Sequence, residues 1–344
     1  SALSEIGGKT TGTVTVDNAV KIVGSQAQVT GALVTTSTLV AAGTAVVTIN
    51  DAAFGNGNGQ TTNTISASAL SAIGGKTTGT VTVSNAVKIV GSQAQVTGAL
   101  VTTSTLVSAG TAVVSINDAA FGDGNNGTTT NTISATALSA IGGKTTGTVT
   151  VDNAVKITGN QSQVTAALVT TSSLVVASSA LVNISNAASI SQFDAINAKT
   201  NGTITYTISD TAANVTTANN GNSGADASKF NNATSLTITD DANTTGSTLN
   251  LDNATTTNLT SVTVTGDAGA DVVQLSSALT SSNVVEIDFV SDANGAAVDK
   301  LIFNTSDSSN WITYKSDGTT ANGSPTAYTF NKFSNFDLAG GEDQ

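Results

Sequence analysis

The stretch GGKTTGTVTV at residues 7–16 decides the fold prediction, because it recurs unchanged at residues 74–83 and 142–151. The copies start 67 and 68 residues apart, and residues 7–55 and 74–122 differ at only three positions. Such self-similarity is typical of repeat proteins, in which each repeat buries its apolar face against its neighbour. The sequence therefore predicts an array of stacked repeats.

Each repeat combines a strand pattern with a helix pattern. The segment TVTVDNAVKIVG (13–24) begins with strict alternation of polar and apolar residues in TVTV, and this pattern predicts a strand. The next segment, SQAQVTGALVTT (25–36), predicts a short helix with Ser25 as its N-cap. A helical turn ended by glycine is predicted for SALSAIGG (68–75). The repeat is therefore expected to alternate strands with short helices.

The spacing of the strands predicts how the repeats stack. Two further strands are expected in AVVTINDAA (45–53) and NTISA (63–67). Val14 and Val47 lie 33 residues apart, which predicts two coils in each repeat. We therefore predict a mainly β fold, a parallel β-solenoid built from repeats with short helices. In this fold Val14, Val81 and Val149 would stack on one buried face.

The pattern changes towards the C-terminus. Repeats are expected at residues 1–67, 68–135 and 136–190, with a degenerate copy at 191–216. Residues 217–234 are polar and glycine-rich and predict a linker or long loop. Beyond them, short β runs place Ile238, Leu251 and Val264 at intervals of 13 residues. Residues 235–344 are therefore expected to form an acidic, β-helix-like or β-roll-like part.

The pentapeptide GGKTT invites comparison with a phosphate-binding loop. That loop requires G-x-x-x-x-G-K-[ST] between a strand and a helix. Leucine stands where the first glycine should be, at Leu3, Leu70 and Leu138, and each copy runs on into a predicted strand. Both features contradict nucleotide binding, and we predict that each GGKTT copy is only a turn.

Composition excludes several classes of function. Cys, His, Met and Arg are absent, so that no thiolate or imidazole is available for zinc. The net charge of −12 lies within residues 201–344, which carry 16 acidic residues and four lysines. An acidic, arginine-free surface repels phosphate backbones, and nucleic acid is not an expected partner. Membrane insertion is not expected, because no long apolar run is present.

Catalysis is not expected either. A nucleophilic triad lacks its histidine, and the three glutamates, Glu5, Glu286 and Glu342, are not paired. A chain without Cys or Met has little to lose to oxidants, which suits a protein outside the cell, although a biased repeat composition gives the same result. We therefore expect an extracellular or cell-surface location.

Two segments are candidates for calcium binding. GDAGADVVQ (266–274) is close to the nonapeptide G-G-x-G-x-D-x-U-x, with Gly266, Gly269 and Asp271 in place and Asp267 where the second glycine should be. Calcium takes about six to eight oxygen ligands, so that one nonapeptide cannot complete a site. An ordinary turn without an ion is the alternative.

The second candidate is the loop NDAAFGDGNNG at residues 117–127. Asp118, Asp123 and Asn125 would offer oxygen ligands from one loop. Clusters of Asn, Asp and Gly also form turns without any ion, and this alternative stays open.

One part of the chain resembles a known kind of protein. FDAINAKTNGTITYTISDTAANV (193–215) resembles a repeat of very large secreted proteins of Gram-negative bacteria, including cyanobacteria. Those proteins combine it with RTX-type calcium-binding turns, to which TVTGDAGADVV (263–273) and VDKLIF (298–303) are similar. The resemblance implies a surface-layer protein, an adhesin or a matrix component, exported by type I secretion.

Together these observations predict a non-catalytic structural protein of the bacterial cell surface. It would assemble with copies of itself into a lattice or filament and would be stabilised by calcium. An adhesin that binds a surface or a partner cell, with cell-surface polysaccharide as its ligand, is the alternative. A polysaccharide-active β-helix enzyme is a second alternative.

Overall fold

The structure is a computed structural model. It describes residues 2–55, 64–105, 107–122, 131–173, 175–220, 233–239, 248–251, 261–265, 272–275, 286–290, 300–303 and 336–339. The chain divides into two compact units. Unit 1 comprises Ser1–Val182 and Ala195–Gly202, and unit 2 comprises Asn183–Asp194 and Thr203–Gln344.

Unit 1 alternates short strands with helices. Its elements are α1 (Ala2–Gly7), β1 (Val14–Thr15), β2 (Lys21–Gly24), α2 (Gln26–Leu33), β3 (Val40–Ala41), β4 (Val46–Ile49), β5 (Thr64–Ser66), α3 (Ala67–Gly74), β6 (Val81–Val83), β7 (Lys88–Gly91), α4 (Gln93–Leu100), β8 (Val107–Ser108), β9 (Val113–Ile116), β10 (Thr132–Ser134), α5 (Ala135–Gly142), β11 (Val149–Val151), β12 (Lys156–Gly159), α6 (Gln161–Leu168) and β13 (Val175–Val176). Single 3₁₀ turns follow α2, α4 and α6.

The second unit contains longer strands. Two elements span the division between the units, β14 (Leu181–Ala188) and α7 (Ile190–Asn197). The remaining elements are β15 (Ile204–Asp210), α8 (Ala212–Asn220), β16 (Ala233–Thr239), β17 (Thr248–Leu251), β18 (Ser261–Thr265), β19 (Val272–Leu275), β20 (Glu286–Val290), β21 (Lys300–Phe303) and β22 (Phe336–Ala339). Helix α8 extends into the segment predicted as a linker.

All strand pairs described within each unit are parallel. Unit 1 contains the sheets β1-β3, β2-β4-β6-β8, β5-β7-β9-β11-β13 and the pair β10-β12. Unit 2 contains the paired runs β15-β16-β18-β20-β22 and β17-β19-β21. Parallel neighbours require a crossover connection, and in unit 1 helices such as α2 between β2 and β4 form it.

The helices form where the local sequence supplies caps. Ser25 accepts a hydrogen bond from the backbone N–H of Gln28, whose side chain in turn accepts from the Ser25 N–H. This reciprocal capping box recurs at Ser92 with Gln95 and at Asn160. The predicted N-cap at Ser25 is therefore confirmed.

The predicted fold class, a mainly β parallel β-solenoid with a β-helix-like or β-roll-like C-terminal part, is wrong. The protein is mixed α/β, since the described residues contain eight α-helices together with the parallel sheets. The helices predicted at residues 25–36 and 68–75 are present, but helices recur between the strands along the chain and occupy as much of unit 1 as the strands do, so that the fold is not mainly β. In unit 2, helix α8 likewise follows β15 directly.

The equivalent valines do not stack directly on one another. Val81 and Val149 are buried, but they lie in different sheets. Val81 is paired with Val47 and Val107 on its two sides. The reason is that each repeat contributes several strands, and the equivalent strands of successive copies belong to different sheets.

The segment at residues 13–24 also differs from the prediction of one strand. It contains β1 and β2, and in the second copy the corresponding strands β6 and β7 belong to different sheets. A turn separates them, in which the Asn85 side chain donates a hydrogen bond to the Asp51 carbonyl oxygen at 2.7 Å. The core lies between the strands and the helices, where Leu70, Ile73 and Ile89 are fully buried.

Candidate functional site

The GGKTTG segment at residues 74–79, which we call the junction turn, connects α3 to β6 and contacts the preceding repeat. The Thr77 hydroxyl donates to the carbonyl oxygen of Ala45 at 2.6 Å. Both the N–H and the hydroxyl of Thr78 donate to the Gly43 carbonyl oxygen, at 2.8 and 3.0 Å. A helix precedes the turn and a strand follows it, the reverse of a phosphate-binding loop. The junction turn therefore joins repeats, and Lys76 is exposed.

This contact requires a glycine at the end of the junction turn. A Cβ atom at Gly79 would lie 2.2 Å from the Ala45 carbonyl oxygen, so that only glycine fits. In the next copy a Cβ at Gly147 would lie 2.2 Å from the carbonyl oxygen of Ala112. The Thr145 hydroxyl donates to the same oxygen at 2.5 Å.

Asp118, a predicted calcium ligand, lies just after β9 and faces the start of α4. Its Oδ2 accepts a hydrogen bond of 2.6 Å from the backbone N–H of Gln93, the first residue of the helix. Its carbonyl oxygen accepts from the Asn153 side chain at 2.7 Å. A carboxylate at a helix N-terminus is stabilised by the helix dipole and satisfies a free N–H. This geometry gives Asp118 a structural role.

The same arrangement recurs one repeat earlier, where Asp51 Oδ2 accepts from the Gln26 N–H at 2.6 Å. In unit 2, the buried Asp210 accepts from the Ile190 N–H through Oδ2 at 2.9 Å. Sequence reasoning missed this role for the aspartates. The available signal was an aspartate shortly after an apolar strand, at Asp51, Asp118 and Asp210, but the helix it caps lies about 20–25 residues earlier.

An aromatic residue holds the start of each Gly/Asn-rich loop. The Phe121 N–H donates to the Ala154 carbonyl oxygen at 2.8 Å, and the Lys156 Nζ lies 5.1 Å from the Phe121 ring centroid. In the preceding copy the Lys88 Nζ lies 5.6 Å from the Phe54 ring. Such cation–π contacts at exposed sites are worth about 0.5–1 kcal/mol. They anchor the loop base to the following repeat.

The structure describes Asp118 alone among the predicted metal ligands. Asp123, Asn125, Gly266, Asp267, Gly269 and Asp271 lie outside the described residues. Within the described part of the chain, no three or more His, Cys, Asp or Glu side chains come together as they would around a metal ion. Both calcium sites therefore stay predictions.

The capping role of Asp118 predicts a calcium-independent effect. Asp118→Ala should lower the free energy of unfolding by about 1–2 kcal/mol, because the Gln93 N–H loses its acceptor. Asp118→Asn, which imitates Asn186 at the equivalent position of the third repeat, should lose less. Urea unfolding with calcium and with chelator measures both. A loss that appears only with calcium would identify Asp118 as a metal ligand.

An aromatic pair is buried in unit 2. The rings of Phe193 and Tyr206 are stacked with their centroids 4.5 Å apart. Burial, and to a smaller extent the nearby Asp194 charge, raises the pKa of the Tyr206 hydroxyl well above its ordinary value. The hydroxyl therefore stays protonated at any physiological pH. Its role in this pair is packing rather than acid–base chemistry.

No known family model, curated protein or solved structure matches this chain. In the described residues, every helix is too short or too polar to span a bilayer.

Proposed function

We propose that this chain is a non-catalytic structural protein of the bacterial cell surface, which assembles with copies of itself into a surface layer or matrix filament. The observation that supports it best is the repeated inter-repeat hydrogen bond. Thr77 donates to Ala45, Thr145 to Ala112 and Thr200 to Ala180, at 2.6, 2.5 and 2.5 Å. The third pair belongs to the degenerate copy, whose sequence has otherwise diverged.

Three further features agree with a scaffold. The polar side chains that recur from repeat to repeat, Thr77, Asp118 and their equivalents, bind backbone groups of the protein itself. The sequence offers no histidine or cysteine for nucleophilic or metal chemistry. The resemblance of residues 193–215 to repeats of large secreted proteins points to the cell surface.

Electron microscopy of the purified chain, with millimolar calcium and with chelator, tests the proposal. Regular sheets or filaments are expected with calcium, and smaller species without it. The same concentration of magnesium is the control for a general divalent-ion effect. Monodisperse monomers under every condition would contradict self-assembly, and monomers that bind a polysaccharide or cell would favour the adhesin.

Calcium should act first on the acidic part of the chain. Residues 201–344 carry the whole net charge of −12, and their mutual repulsion opposes a compact state. An ion that binds only the folded state stabilises it by about 2.7 kcal/mol at a free concentration about 100 times its dissociation constant. Extracellular calcium sites have dissociation constants of about 10⁻⁴–10⁻³ M, so that millimolar calcium reaches only part of this effect at weak sites.

We therefore expect chelation to loosen residues 235–344 first and to leave the first 200 residues, which carry seven acidic residues and seven lysines, folded. Melting curves and limited proteolysis with calcium and with chelator measure this at low salt, where screening is weak. Asp271→Asn should reduce the calcium effect. Superimposable curves for the parent chain would mean that residues 266–274 form an ordinary turn.

A further inference from the structure

The first repeat exposes apolar side chains that later repeats bury. Ile6 is 53% exposed, whereas its equivalents Ile73 and Ile141 are fully buried. Val20 is 36% exposed, and its equivalent Val87 is fully buried. Because residues 7–55 and 74–122 are nearly identical, the difference comes from what lies against each copy. We call the exposed Ile6, Val20 and Val23 together with the unpaired side of β2 the first-repeat edge.

The second repeat shows what covers the equivalent surface. There β5, which belongs to the first repeat, pairs in parallel with β7, with Ile65 opposite Ile89. A Cβ atom at Gly91 would lie only 2.8 Å from the Ala67 Cβ, so that the two residues are in close contact. The buried Ile65 and Ala67 therefore fill the space beside the strand.

In the first repeat this space is a cavity. Strand β2, the equivalent of β7, pairs with β4 and is an edge strand of its sheet among the described residues. Beside it lies an open cavity of about 210 Å³, lined by Leu3, Ile22, Val29 and Ala32 and also by the exposed, polar Lys21 and Gln28. Its volume is sufficient for an isoleucine side chain, since a space of about 150 Å³ already holds a small aromatic molecule.

The GGKTTG turn of the first copy, residues 7–12, indicates independently that this edge is built to contact a preceding repeat. Gly79, Gly147 and Gly202 each press against a carbonyl oxygen of the preceding strand-turn segment, at Ala45, Ala112 and Ala180. The equivalent Gly12 meets only the Thr10 hydroxyl of its own turn, at 3.4 Å from a Cβ placed there. The sequence of a docking turn is thus present in the first copy without the surface that it contacts elsewhere.

We propose that the first-repeat edge is a docking surface for a further repeat of this chain's own type. The occupant adds a Thr-Ile-Ser-Ala strand in parallel to β2, inserts its isoleucine into the cavity and presents a turn like residues 43–45 to Thr10 and Gly12. In a second copy of the described chain, Thr64–Ser66 and Thr132–Ser134 already use for β7 and β12 the side that would pair with β2. Residues 68–135 carry two lysines and two aspartates, so that a repeat of this type has no net charge and charge repulsion does not oppose its docking.

Cysteine labelling tests the proposal, because the chain has no cysteine. Ile6→Cys is introduced into the full chain and into the same chain preceded by an additional copy of residues 1–67. A thiol reagent should label the first chain quickly and the extended chain about tenfold more slowly or less, since a buried thiol reacts only during local opening. Val176→Cys, at a valine that is 42% exposed, is the control and should react equally in both chains.

Gly12→Ala distinguishes docking from unspecific shielding. In the parent chain it should leave the midpoint of unfolding unchanged, because a Cβ at Gly12 has room. In the extended chain it should restore fast labelling of Ile6→Cys, because the added Cβ would meet a carbonyl oxygen of the preceding repeat.

Three results would overturn the proposal. The first is equally fast labelling of Ile6→Cys in both chains, and the second is an added repeat that stays sensitive to protease. The third is slow labelling already in the parent chain together with sedimentation as a dimer, which would assign the edge to a second copy. The first two results leave the proposed surface layer unaffected, whereas the third would be self-association through this edge.

Discussion

Val81→Asp should unfold unit 1 at room temperature or lower the midpoint temperature of its unfolding by many degrees. Val81 is 3% exposed in β6, between Val47 and Val107 of the neighbouring strands. A carboxylate at this position would lose its hydration among apolar side chains, which costs several kcal/mol. Most domains are stable by only about 5–15 kcal/mol, so that this single change removes a large part of the total.

Thr82→Asp is the matched control, because Thr82 is the next residue of the same strand and is exposed. Both variants carry the same charge and the same poor β propensity of aspartate, and they differ only in the face of the sheet. Circular dichroism during heating compares the two. If the two variants melt at the same temperature, the buried face of the sheet is assigned wrongly.

Gly147→Ala should lower the free energy of unfolding of unit 1 by about 3 kcal/mol, at the upper end of the range for overpacking. The new Cβ would lie 2.2 Å from the carbonyl oxygen of Ala112 and 2.6 Å from its carbon, and both atoms belong to the backbone. Backbone atoms cannot rotate out of the way, so that the junction between the repeats must separate. The hydrogen bond from the Thr145 hydroxyl to the same oxygen would be lost with it.

Gly110→Ala is the control within the same contact, since the Gly110 carbonyl oxygen accepts from Thr146 and a Cβ at Gly110 has open space. It should be neutral or stabilise by about 0.4–1 kcal/mol, because alanine has less conformational freedom in the unfolded chain. Denaturant unfolding of both variants measures the difference. Equal stability of the two would show that the close approach at Gly147 is not required.

The repeat helices such as α2 could be predicted from local sequence, whereas α8 and the partner of the candidate metal ligand Asp118 could not. Ser25 and Gln28 form a capping box within four residues, which is a local signal. Asp118 was predicted as a metal ligand because aspartate in a Gly/Asn loop suits calcium. The structure places its carboxylate on the Gln93 N–H, a partner that no local pattern indicates.

For the strands, too, the local sequence predicted burial but not which strands are neighbours. The alternation around Val81 predicted a buried strand correctly, and Val81 is buried. Its neighbours Val47 and Val107 lie 34 and 26 residues away, and the repeat period of 67 suggested Val14 and Val149 instead. Period analysis identifies equivalent positions, but equivalent positions are neighbours only when each repeat contributes one strand to a sheet.

By itself the sequence determined the repeats, the short capped helices and the strand segments, because these depend on residues close together in the chain. Only the tertiary structure decided which strands pair with one another, the mixed α/β class and the contact of Gly79 with Ala45. Those features depend on backbone groups from different parts of the chain, which come together when the repeats pack and bury their apolar faces. Parallel pairing is non-local by nature, since each pair of strands needs a crossover between them.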